Sequence, residues 1–94
     1  MLDDSVGRRA DGRLRKIEGQ VRGIRRMVEE RRYCVDVLDQ IAAARAGLLA
    51  VSQAILRNHI ETCVAETLAS DDRRARREKI EELVRLFPRF CRGG

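Results

Sequence analysis

The sequence predicts an all-α chain, and three observations carry that prediction. Ala, Leu, Arg and Glu, all good helix formers, are abundant among its 94 residues. The single proline is Pro88, so nothing before it interrupts a helix. Apolar residues recur at alternating steps of three and four, the mark of helices with one apolar face. Tyr33, Phe87 and Phe90 are the whole aromatic set, which leaves the core to Leu, Ile, Val and Ala.

After an N-terminal arm over 1–10, a first helix is predicted over about 11–31. Leu14, Ile17, Val21, Ile24 and Val28 form its stripe, and Asp11 is the candidate cap. Gly19 and Gly23 are costly inside a helix; either another backbone packs closely there or the glycines are tolerated. A second helix is predicted over about 33–69. Its stripe follows heptad spacing through Cys34, Leu38, Ile41, Arg45, Leu48, Ser52, Ile55, His59 and Cys63. At about 54 Å it is too long for two shorter helices of the same chain to cover, so a partner subunit is expected. A third helix is predicted from Asp71 or Asp72 to Phe87, with Ser70 as cap and Ile80, Leu83, Val84 and Phe87 as stripe. Pro88 is expected to stop it, leaving 88–94 as a tail. The whole chain, 1–94, reads as one domain.

His59 and Cys63, four apart, lie one turn along the same helix face, where both can hold one ion. A lone Cys on a helix usually behaves as a small hydrophobe, but Cys34 falls on that same face. Within one straight helix it would lie about 38 Å from His59. Two copies paired antiparallel bring Cys34 of one opposite His59 and Cys63 of the other. The symmetry point of that register lies beside Gly47, in the run Ala42-Ala43-Ala44-Arg45-Ala46-Gly47, where small residues permit close approach. Two thiolates and an imidazole without a fourth ligand suit Cu(I); Zn or Ni would need water or another side chain. Cys91 is the spare thiol and reads as a non-ligating tail residue.

Net charge is +5 and uneven. Residues 1–32 hold ten Lys/Arg against six Asp/Glu, 33–70 two against four, and 71–94 eight against five. Basic ends around a near-neutral middle suit a polyanion partner. No apolar run reaches membrane-spanning length, and Met1-Leu2-Asp3-Asp4 does not begin like a signal peptide. A cytoplasmic protein with reduced thiols is therefore expected, with no membrane partner. Without a Ser-His-Asp pattern, a Gly-rich phosphate loop or a carboxylate placed for metal-assisted hydrolysis, no enzyme activity is expected.

Several segments together resemble the copper-sensing CsoR family of bacterial repressors, whose members also sense nickel, formaldehyde or persulfide. They are Arg13-Leu14-Arg15-Lys16-Ile17-Glu18-Gly19-Gln20-Val21-Arg22-Gly23-Ile24, Tyr33-Cys34, Asp36-Val37-Leu38, Gln40-Ile41-Ala42-Ala43, Arg45-Ala46, and Asn58-His59-Ile60-Glu61-Thr62-Cys63-Val64. The resemblance covers roughly residues 8 to 87, and Cys-His-Cys in these places is similar to the family's Cu(I) branch. It implies a three-helix subunit, an antiparallel four-helix dimer core, a dimer of dimers, and a ligand set of Cys34 from one subunit with His59 and Cys63 from its partner. It also implies Tyr33 and an acid on the third helix beside the metal-bound His, Glu82 fitting better than Glu81. DNA contacts are implied at Arg13, Arg15, Arg22 and Arg45; Lys16 joins them from its place on the polar face. The expected function is a repressor whose metal-free form binds operator DNA and whose Cu(I) form releases copper-resistance genes. The alternatives are a persulfide or oxidant sensor on the same thiols, a Ni or Zn sensor, and a copper-binding protein without a DNA role.

Overall fold

Four helical segments and one π-helical turn follow each other along the chain: α1 (Asp4–Glu29), α2 (Cys34–His59), the π-turn Ile60–Val64, α3 (Ala65–Ala69) and α4 (Arg73–Phe90). The computed structural model describes residues 2–90; Cys91 and the rest of the predicted tail lie outside them. α2, the π-turn and α3 run on without a break, so the long predicted helix exists over Cys34–Ala69, with a change of winding near its end. Among the described residues there is no strand, and no helix is long and apolar enough to cross a membrane.

α1 and α2 form an antiparallel hairpin. Ile17 and Ala10 of α1 are buried with Val51 of α2, and Ile55 packs against them. The buried residues of α2 are Ala44, Val51 and Asn58, spaced by seven, so this stripe faces α1. Gly47 belongs to the same contact. A Cβ there would lie 3.2 Å from Ile17 Cδ1, closer than packed carbons normally approach. The small residue expected at a crossing between two copies of α2 thus meets Ile17 of its own chain. Gly23 has nothing within 4 Å of its would-be Cβ, and Gly19 only the end of Arg22; within the subunit these two glycines admit no neighbouring backbone.

α1 starts seven residues earlier than its sequence suggests, and the cause is tertiary. Asp3, in extended conformation at the N-cap position, is gripped by the buried Asn58. The Asp3 N–H donates to Asn58 Oδ1 at 3.1 Å, and Asn58 Nδ2 donates to Asp3 Oδ2 at 2.9 Å. Asp11 lies inside the helix and pairs with Arg15 at 3.0 Å. At the other end, Arg31 takes a left-handed conformation (φ 54°), and the Arg32 N–H returns to the Met27 carbonyl at 2.9 Å. That conformation costs a residue with a Cβ roughly 1–2 kcal/mol. Arg31→Gly is therefore expected to stabilise the protein by about 0.5–1 kcal/mol, after allowing for the glycine's greater freedom when unfolded. A thermal midpoint that falls instead would show that the arginine side chain itself holds this turn.

Two predicted boundaries of the last helix also move. Asp72, not Ser70, caps α4, its Oδ1 accepting the Ala75 N–H at 3.1 Å. Ser70 turns back to the end of α3 and donates to the Thr67 carbonyl at 2.7 Å. Pro88 lies within α4 instead of stopping it. Proline carries a helical φ, though it takes the helical donor from the Val84 carbonyl and its ring crowds that carbonyl. Gln53 Nε2 of α2 bonds the Phe90 carbonyl at 2.9 Å, anchoring the turn beyond the proline.

The result is a slab of 59 × 26 × 14 Å with a radius of gyration of 17.7 Å, against about 12 Å for a compact chain of this length. Leu38, Ile41 and Leu48 of the heptad stripe lie 45 to 61 % exposed, and Val84 and Phe87 of α4 are open as well. The face predicted to need a second copy is uncovered in the single chain.

Candidate metal centre

The π-turn places the site. It follows directly on His59 and ends one residue beyond Cys63. π-turns leave backbone carbonyls short of their usual partners, and two threonines supply donors here. Thr62 Oγ1 donates to the Asn58 carbonyl at 2.8 Å, and Thr67 Oγ1 to the Cys63 carbonyl at 2.9 Å. Thr62 Oγ1 also lies 3.7 Å from Cys63 Sγ.

His59 is oriented by α4. Its Nε2 lies 2.9 Å from Glu82 Oε1, and Lys79 Nζ approaches the same oxygen at 3.8 Å. The hydrogen bond from His59, helped by the charges of Lys79 and Arg85, holds the Glu82 carboxyl below its ordinary range against a small cost of burial. A carboxylate accepts, so this contact puts the proton on Nε2 and leaves Nδ1 with a lone pair for a ligand. Glu81 is exposed and makes no such contact. Hydrogen bonding from Thr62 is among the causes that pull the Cys63 thiol below its ordinary range. An imidazole with one nitrogen available, beside a thiol that ionises readily, fits a soft metal ion.

The structure brings His59, Cys63 and Glu82 together and leaves Cys34 and Tyr33 at the other end of the rod. The length of α2 puts Cys34 about 38 Å from His59. Cys34 is exposed and Tyr33 is 69 % exposed. Among the described residues, no three His, Cys, Asp or Glu side chains of one chain converge as a metal site.

The basic residues expected at DNA are all exposed, but they do not form one patch. Arg15 and Arg22 project about 160° and about 140° away from the buried Ile17, while Arg13 and Lys16 flank the α1–α2 contact. Arg15 and Arg22 pair with Asp11 and Glu18 at 3.0 and 3.9 Å, exposed contacts that phosphate would readily replace. Arg45 is exposed on the same stripe of α2 as Leu38, Ile41 and Leu48. The sequence reading missed Asn58 and Thr62. For Asn58 a signal existed: it falls seven residues beyond Val51 and fourteen beyond Ala44, a polar residue on an apolar stripe.

The family model for metal-sensitive transcriptional repressors matches residues 8–89. The copper-sensing transcriptional repressor CsoR of Bacillus subtilis is 45% identical over 80 residues, covering 85% of this chain and 76% of the relative. The copper-sensing transcriptional repressor RicR of Mycobacterium tuberculosis is 51% identical over 57 residues, 61% of this chain and 59% of the relative. In three dimensions, the Cu(I)-bound repressor CsoR of Geobacillus thermodenitrificans superposes with a TM-score of 0.82 at 34% identity, covering 98% of this chain and 93% of that one.

Proposed function

The chain belongs to the metal-sensitive transcriptional repressor family, and on that premise we propose that it is a Cu(I)-responsive repressor whose metal-free form holds operator DNA. Relatives named as copper-sensing repressors, one of them solved with Cu(I), support this reading. The observation that carries it is the arrangement at the π-turn, where Glu82 fixes the His59 tautomer and Cys63 follows one turn on. Cu(I) would be held by Cys34 of one subunit and by His59 and Cys63 of a second, and it supplies a soft centre that joins two chains. The uncovered stripe of α2 supports the antiparallel dimer this requires. A dimer of dimers belongs to the same proposal.

The chain's own residues carry the signal. His59 is tied to α4 through Glu82, so any shift of the imidazole pulls on α4. The same stretch of helix holds Asn58, which grips the start of the basic helix α1. A change at the ligand end therefore reaches both neighbouring helices. By linkage, DNA must weaken Cu(I) affinity by the factor by which Cu(I) weakens DNA.

The test is a titration of the reduced, anaerobic protein with Cu(I), reading stoichiometry and promoter DNA binding together. Loss of the DNA complex at one Cu(I) per subunit is expected; a complex that survives full loading would sink the copper reading. Glu82→Gln is expected to weaken Cu(I) binding by about 10- to 100-fold, measured by competition with a Cu(I) chelator, with metal-free DNA binding unchanged. Unaltered affinity would reduce Glu82 to a solvated charge.

A further inference from the structure

Between the first half of α1 and the last half of α2 runs a groove of about 580 Å³, with Arg9, Arg13 and Arg57 on its walls and Val6, Ala10 and Val51 among its apolar lining. We infer that this groove seats a backbone phosphate of DNA, with Arg9 and Arg57 as contacts beyond those implied by the family. The inference rests on the repressor reading and specifies where one part of the operator lies.

Charge and chemistry both favour a phosphate. Three guanidinium groups line the groove against two carboxylates, Asp3 and Glu61, and both carboxylates have partners of their own. Asp3 accepts from Asn58, and Glu61 pairs with Arg57 at 2.7 Å, an exposed pair that Arg57 exchanges for the phosphate. Among the described residues, Arg9 and Arg13 have no carboxylate within ion-pair distance. Arginine presents a planar fork of donors matched to phosphate oxygens. A concave site with an apolar lining concentrates the field of such groups more than a convex surface does. Arg9, Arg13 and Lys16 also share one flank of α1 by helical position, so a strand passing the groove meets successive cations.

The groove touches the ligand end of the molecule. Arg57, Asn58 and Glu61 line it, and His59 and Cys63 belong to the same stretch of winding. A DNA phosphate in the groove and a metal ion at His59 and Cys63 would therefore be read by the two sides of one segment.

The experiment measures metal-free binding to the promoter duplex by fluorescence anisotropy over a salt series. It compares the unsubstituted chain with Arg9→Gln, Arg57→Gln and Arg74→Gln. Arg74 is an exposed arginine of α4, itself paired with a glutamate, so its replacement makes the same change in net charge away from the groove. Arg9→Gln and Arg57→Gln are each expected to lower the salt slope by about 1 and the affinity by about 10-fold, while Arg74→Gln changes neither. Cu(I) uptake by Arg9→Gln at normal stoichiometry shows that the variant is folded. Equal behaviour of the Arg9 and Arg74 variants overturns the inference, as does an affinity loss with an unchanged slope. Tight binding of free pyrophosphate, with the DNA slope indifferent to Arg9, would make the groove a small-anion site and overturn it too. If the unsubstituted chain does not hold the duplex at all, it is the repressor reading that fails.

Discussion

Cys34→Ala is expected to leave the metal-free protein on DNA and to abolish its release by Cu(I). Cys34 is exposed in the first turn of α2, so its removal takes away no packing within the subunit. Coupled sites typically change each other's affinity by about 5- to 150-fold; here the ratio of DNA affinities without and with Cu(I) should fall to about 1. The decisive form of this experiment mixes two defective chains. Cys34→Ala and Cys63→Ala homodimers should each be silent. A dimer with one chain of each kind carries both defects in one site and none in the other. It should therefore recover about half the copper capacity of the unsubstituted dimer, because a two-fold dimer holds two equivalent sites. Failure of the mixed dimer to recover any would place the third ligand elsewhere.

The second large effect is expected on stability. Asn58 is 5 % exposed and makes two hydrogen bonds to Asp3. Asn58→Leu leaves the Asp3 carboxylate and N–H without that partner, at a cost on the order of 2–3 kcal/mol. For a small domain this lowers the thermal midpoint by roughly 10 °C or more. The loss should concentrate at the start of α1, read as faster amide exchange over residues 4–7. Asp3→Ala and Asn58→Ala should each be costly and the double variant little worse than either. Additive costs would mean that the two residues act separately.

The fold class was legible because the three-four spacing recurs over the whole chain, and the span of the long helix because no breaker falls between Cys34 and Ala69. Cys34, His59 and Cys63 stood out because soft ligands are rare here and share one face. What escaped the sequence depends on contacts between segments far apart in it. Asp11 has the chemistry of a cap, but the helix begins at Asp4, after Asp3, which is held by Asn58 55 residues away. Gly47 signalled a close approach without revealing that Ile17 makes it. The π-turn left no periodic trace, since five residues are too few to establish a period; the threonines that support it are ordinary residues in a helix. Pro88 misled because the turn beyond it is held from outside the helix, by Gln53 of α2 on the Phe90 carbonyl.

The thin slab has a thermodynamic consequence. Only Ala10, Ile17, Ala44, Val51 and Val64 are buried apolar residues among those described, too few to offset the ordering of so long a chain. In the dimer proposed above, the rest would come from surface that one copy cannot cover by itself. Folding of such a dimer would obey mass action: dilution would act as a denaturant, and the melting temperature would rise with protein concentration. Its melting temperature would then be a property of a solution at a stated concentration.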